Sequence, residues 1–349
     1  MIRVARPALA AAMVLSLAAC AGLKERLPDL PRLPSLGGDR PAAEAAPAPA
    51  AKLAPGQWPQ TASDVAPDPA VRFGALPNGM RYALLKNATP PGQASLRLRF
   101  DAGSLNETDA QLGLAHFLEH MAFNGSKGVP EGEMVKMLER QGLAFGADTN
   151  ASTDFDETIY KLDLPRTDDA TVDLSLKLLR ETASELLIAP EAVDRERGVV
   201  LSEERTRDGP GWRVFKARTR FILKGQRPPD RFPIGSVEVL KSAPASQIRA
   251  YYEAWYRPER TTLVAVGDFD LDAMEARIKA TFGDWSNSRP DGREPPMGAV
   301  ARRDLETMVV VEPGSSTTLQ IGWVSPPDLS RDTVAKRRRQ WTEQLGFAV

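Results

Sequence analysis

Cysteine and histidine are scarce in this chain, with one and two copies in 349 residues. A lone cysteine, Cys20, excludes an internal disulfide, so stability must come from packing alone. An excess of either charge is also lacking. The formal net charge is −1, and nothing in that balance suggests a nucleic-acid partner. The one basic block, Lys336-Arg337-Arg338-Arg339, falls in a predicted helix opening near Asp332 and reads as a solvated helix face. The apolar run Ala8–Ala19, broken only by Ser16, is too short to cross a bilayer as a helix. What remains is an ordinary soluble composition, 42% hydrophobic and 26% charged, in a length that suits two domains or one with appendages.

The N-terminus has its own logic. Met1 to Pro7 carries two arginines ahead of the apolar run, the layout of a secretory signal. The run ends Leu17-Ala18-Ala19-Cys20, which resembles the lipobox of bacterial lipoproteins. That resemblance implies a signal peptide over 1–19, a lipid on Cys20 and, with Ala21 next rather than aspartate, anchoring to the periplasmic side of the outer membrane. From Leu27 to Ala70 prolines recur among alanines with little apolar bulk. Such chain buries too little surface to offset its ordering entropy, so 20–70 is expected to be a disordered, extended tether.

Folded chain is expected over 71–285. A turn at Pro77-Asn78-Gly79 leads into a strand from Met80 to Leu85, and Leu96, Leu98 and Phe100 alternate with Arg97 and Arg99 as a half-buried strand. Helices are predicted over Asp109–Asn124, Glu131–Gln141, Asp168–Ile188, Pro190–Arg207, Ala245–Trp255 and Leu271–Phe282, with strands at Thr158–Leu164 and Thr261–Val266. This order implies an α+β fold, helices packed on a largely antiparallel sheet. A proline- and charge-rich linker spans 286–296. Beyond it, strands over Met308–Val311 and Thr317–Val324 and a helix from Asp332 read as the truncated start of a second unit, 297–349.

Both histidines lie in His116-Phe117-Leu118-Glu119-His120. Four residues is just over one helical turn, so the two imidazoles share a face and can close on one ion. Leu114, Phe117, Leu118 and Met121 form the opposite, apolar stripe. The order His-x-x-Glu-His is one in which the histidines bind zinc and the glutamate works on water at the metal. A catalytic zinc takes three protein ligands. With the histidines spent and Cys20 remote, the third must be a carboxylate, and Asp194 to Glu204 holds the candidates. Glu196 and Glu203 are two turns apart on one face, which Val193, Val199 and Val200 are expected to share. Glu203 is the chosen ligand, with Glu196 behind it, orienting a histidine or supporting the site; Glu204 lies about 100° round, toward solvent.

The segment Gly113-Leu114-Ala115-His116-Phe117-Leu118-Glu119-His120-Met121-Ala122-Phe123-Asn124-Gly125-Ser126 resembles the signature of the pitrilysin/insulinase metallopeptidases, and Glu196-x6-Glu203 is similar to their downstream pair. Phe100-Asp101-Ala102-Gly103-Ser104, Asn150-Ala151-Ser152-Thr153, Trp255-Tyr256-Arg257-Pro258 and Val266-Gly267-Asp268 resemble further landmarks. The interval from His120 to Glu203 is a few residues longer than is common there, which keeps Glu204 as the alternative ligand. The resemblance implies a zinc endopeptidase for short or unfolded peptides, with Glu119 as general base. It also implies repeated α+β units closing on an extended peptide at an edge strand near Phe145–Thr153, Asn150 and Ala151 being nearest the scissile bond. The closing half, from the same chain or a partner subunit, would supply further residues, so full activity is not expected from these residues alone. A non-catalytic, peptide-binding relative of the same fold is the second reading.

Overall fold

The computed structural model describes residues 53–301 and 303–347. Cys20, the signal segment before it and most of the expected tether lie outside the described residues. Six strands form one sheet: β1 (Val71–Ala75), β2 (Arg81–Lys86), β3 (Ala94–Phe100), β4 (Thr149–Thr153), β5 (Thr158–Leu164) and β6 (Thr261–Gly267). The helices are α1 (Leu114–Met121), α2 (Glu133–Arg140), α3 (Asp169–Ser184), α4 (Pro190–Arg207), α5 (Pro210–Ile222), α6 (Val237–Ser242), α7 (Ala245–Trp255), α8 (Leu271–Phe282) and α9 (Val334–Phe347).

Strand order is β1-β2-β6-β3-β5-β4, antiparallel throughout except where β2 runs parallel to β6. The fold is α+β, as the pattern of elements implied. Strand β3 sits inside the sheet because its alternation serves two neighbours. Leu96, Leu98 and Phe100 point into the core, while Arg97 pairs with Asp163 on β5 and Arg99 with Glu157. One face of the sheet is therefore a charged surface, and the other is covered by α1, α3 and α8. Helices α4 and α7 pack onto α1 from the far side, so α1 is enclosed. Strand β4, with only β5 beside it, is an edge.

Most boundaries follow local chemistry. Pro190 opens α4 at its first turn, and the Asp168 and Asp270 side chains cap α3 and α8 by accepting N–H bonds from Thr171 and Ala273. The motif helix is shorter than its apolar periodicity suggested. A 3-10 turn over Asp109–Gln111 precedes it, and Gly113, at φ 95°, breaks the path between the two.

Three expectations need correction. The strands foreseen at Met308–Val311 and Thr317–Val324 are not formed; both segments are irregular, and Leu305 beside them is 96% exposed. Apolar alternation makes a strand only where a neighbour supplies ladder partners and cover, and neither segment has one among the described residues. The tether ends before residue 70. Trp58 donates its indole N–H to the Gly74 carbonyl at 2.9 Å and packs edge-on against Phe73, which covers the edge strand β1. The linker is strapped down: Arg257 donates to the Arg289 carbonyl at 2.7 Å, and Arg260 pairs with Asp291 and Glu294. Among the described residues, no helix is long and apolar enough to cross a membrane.

Candidate metal centre

Helix α1 carries the site, and its start is held by an acid that sequence reasoning missed. Glu107 is fully buried, and its two carboxylate oxygens accept the N–H groups of Gly113 at 3.0 Å and Ala115 at 2.8 Å. These are donors that the first turn of a helix leaves unpaired. Burial pushes the Glu107 carboxyl up to about 8, against the pull of those two backbone bonds. An acidic residue just ahead of a helix start was the available signal. Here Gly113 also touches Gly235: a Cβ on Gly113 would stand 2.9 Å from the Gly235 Cα and 3.0 Å from Leu240 Cδ2. Gly113→Ala combines that crowding with an unfavourable positive φ. It is expected to lower stability by about 1–3 kcal/mol, read as a reduced urea midpoint at unchanged m-value.

One turn on, the imidazoles of His116 and His120 stand nearly perpendicular, their centroids 4.8 Å apart. Their Nε2 atoms face each other at 3.3 Å. Helix α4 brings Glu203 across, with Oε2 3.4 Å from His120 Nε2 and 3.6 Å from His116 Nε2. Among the described residues these three form the one cluster of potential metal donors, all within 4.8 Å of one another. Glu204 is not in it.

The separations have a chemical meaning. Ligand atoms about 2.0–2.2 Å from a tetrahedral zinc stand roughly 3.3–3.6 Å from each other. Glu196 Oε1 lies 2.8 Å from His120 Nδ1, which assigns the proton to Nδ1 and a lone pair to Nε2. Two imidazole nitrogens and a carboxylate oxygen converge at these distances, an arrangement that a cation between them would satisfy. The donor set and its spacing fit zinc.

Each flanking group has an environment of its own. Burial pushes His116 down to about 4, His120 adds to the shift and Glu203 opposes it. His116 is 6% exposed, and its Nδ1 has no partner. For His120, burial acts downward but the Glu196 bond, with Glu119 and Glu203 nearby, raises it overall. The same bond to His120 holds Glu196 below the usual carboxylate range. Its second oxygen accepts from Asn124 at 3.2 Å. Glu119, 9% exposed, is raised by burial, while its bond from Thr153 works the other way. Arg207 meets the other Glu203 oxygen, Oε1, at 2.7 Å.

The predicted side of α4 is only partly as drawn. Val193 and Val200 are buried, but Val199 is 52% exposed and belongs to solvent. On β4, Asn150 is exposed, and its side-chain amide donates to the Gly146 carbonyl at 3.3 Å; half-buried Ala151 pairs with Tyr160. Neither residue is among the metal donors. The last residue of β4, Thr153, donates its hydroxyl to Glu119 Oε2 on α1 at 2.5 Å.

The model of the family described as "Insulinase (Peptidase family M16)" matches residues 82–213, which include all of this cluster. The chain belongs to the insulinase family, peptidase family M16. A second model, "Peptidase M16 inactive domain", matches residues 242–337. Among M16 relatives, the probable zinc protease PqqL of Haemophilus influenzae is 39% identical over 212 residues, 61% of this chain and 23% of that protein. PqqL of Escherichia coli is 39% identical over 206 residues, 59% of this chain and 22% of that protein. The crystal structure of the first half of the periplasmic protease PqqL from Escherichia coli superposes with TM-score 0.64 at 35% identity, covering 67% of this chain and 50% of that one. Pitrilysin superposes at 0.54 and 27% identity, over 66% of this chain and 24% of its own. The chain thus spans under a quarter of the length of the two PqqL proteins.

Proposed function

We propose that this M16 chain carries the zinc-binding part of a metalloendopeptidase acting on short or unfolded peptides. The observation that carries the reading is the convergence of His116, His120 and Glu203 at the spacing of a tetrahedral site. These three residues hold the metal. Zinc, when bound, acidifies water and polarises a carbonyl. Glu119 is the general base: its Oε2 is tied to Thr153, leaving Oε1 to take a proton from the attacking water and return it to the leaving amine. Burial keeps Glu119 more basic than an exposed carboxylate, which suits that exchange near neutral pH.

Glu196 fixes the tautomer and direction of His120. Glu196→Ala is expected to weaken zinc binding about 10–100-fold with the fold intact, measured by chelator competition. A peptide would lie along the open side of β4, paired through main-chain hydrogen bonds, with Asn150 and Ala151 alongside it. The apolar leader and the periplasmic E. coli relative support export. We place the protein at the periplasmic side of the outer membrane, anchored by a lipid on Cys20. Further M16 units, in the same chain or a partner subunit, would complete the enclosure around the substrate.

The test is metal content and peptide cleavage of the full-length protein. One equivalent of zinc and hydrolysis of unstructured peptides support the reading. Stoichiometric zinc with no cleavage would leave a peptide-binding relative, and a zinc-free, correctly folded protein in zinc-supplemented buffer would refute it.

A further inference from the structure

Thr153 stands out because its hydroxyl does one thing. It donates to Glu119 Oε2 at 2.5 Å and makes no other hydrogen bond among the described residues. A hydroxyl that donates to a carboxylate makes a stronger contact than a neutral hydrogen bond whenever the acid is ionised. The Glu119 carboxylate in turn has no other hydrogen-bond partner among the described residues, and it lies outside the donor cluster formed by the two histidines and Glu203. A glutamate has three rotatable bonds, so without an anchor its carboxylate would sample several positions beside the metal.

The anchor is itself well founded. Thr153 pairs with Thr158 at the last rung of the β4–β5 ladder. Thr158 is buried and donates to the Ala102 carbonyl at 3.0 Å. The turn that follows is closed by Asp154 N–H donating to the Glu157 carbonyl at 2.8 Å, and the Asp154 carbonyl accepts from Ser104 N–H at 3.1 Å. This end of β4 is therefore tied to the loop before α1, while Asn150 and Ser152 stand exposed along the strand. A β-branched side chain on such a strand has little rotamer freedom. The hydroxyl is thus a fixed point from which the Glu119 carboxylate is hung.

Resting on the peptidase reading above, we infer that Thr153 is a positioning residue: its hydroxyl holds one oxygen of Glu119 so that the other faces the water, and it acts through Glu119 alone. The hydroxyl, not the volume of the side chain, carries the effect. Because β4 is also the strand on which a peptide would dock, the general base and the substrate would be referenced to the same piece of backbone.

The experiment compares Thr153→Val, Thr153→Ser and Glu119→Gln, and combines Thr153→Val with Glu119→Gln, in the full-length zinc protein. Thr153→Val should lower kcat about tenfold to a hundredfold, the worth of one hydrogen bond to a charged group. KM and the zinc dissociation constant should stay within about twofold, since neither docking backbone nor ligands change. Thr153→Ser should return kcat to within a few-fold of the parent. In the Glu119→Gln background, Thr153→Val should cause almost no further loss, because a residue acting through Glu119 has nothing left to position. A Thr153→Val protein with the parent's kcat overturns the inference. So does a loss of zinc affinity parallel to the loss of kcat, or a Thr153→Ser variant as slow as valine. Should valine not fold, Thr153→Ala, which adds no bulk, makes the same comparison. A parent that cuts no peptide sinks the peptidase reading itself, an outcome distinct from all of these.

Discussion

Glu119→Gln is expected to reduce kcat for peptide hydrolysis by about 10²–10⁴-fold while the protein keeps its zinc. The substitution is nearly isosteric, and its amide oxygen can still accept the Thr153 hydroxyl that now bonds Oε2. It removes no donor from the cluster of potential metal ligands, His116, His120 and Glu203. What it removes is basicity at Oε1, the atom free to take a proton. Glu119 is buried and its affinity for a proton is raised by that burial, so no exposed carboxylate nearby is an equivalent substitute. Steady-state kinetics of the full-length protein, with metal content measured on the same samples, checks both halves. Zinc retained at the parent's turnover would remove Glu119 from the mechanism. Zinc lost along with turnover would mean that Glu119 supports the ion rather than the water.

The parts of this molecule legible in the sequence are those governed by neighbours along the chain. Pro190 starts α4, Asp168 and Asp270 cap their helices, and the alternation from Leu96 to Phe100 marks a strand flanked on both sides. Helical spacing likewise put His116 and His120 on one face. What the sequence left open depends on contacts between distant segments. Apolar alternation from Met308 to Val324 looks like strands, but pairing partners decide that, and these residues have none among the described residues. Trp58 sits among alanines and prolines, and only the exposed side of β1 turns it into an anchor. Glu203 and Glu204 differ by 100° on a helix, and the choice between them needed the packing of α4 on α1. The roles of Thr153 and Glu107 were harder to read, because each works through a single tertiary bond or a pair of backbone bonds, with no periodicity to announce it.

His116→Ala should abolish zinc binding and turnover together, yet leave the metal-free protein about as stable as the metal-free parent. The two outcomes have one cause. Among the described residues the His116 Nδ1 is buried without a partner, while its Nε2 lies 3.3 Å from that of His120, within hydrogen-bond distance. Burial already holds it neutral, pushed down to about 4. A buried polar atom without a partner is unfavourable, so truncating the ring offsets much of what it loses in packing. With the ion present the sign reverses. The Nε2 atom then gives its lone pair to one of three bonds, and a ligand that binds only the folded state stabilises it by about 2.7 kcal/mol at a hundredfold excess over its dissociation constant. Thermal unfolding with and without zinc separates the terms. The parent should show a zinc-dependent rise in Tm, and His116→Ala should show none, with metal-free midpoints differing by no more than about 1 kcal/mol in stability. A zinc-dependent shift of parent size in the variant would mean that the ion is held elsewhere. A collapse of the apo variant would mean that His116 belongs to the core before it belongs to the metal.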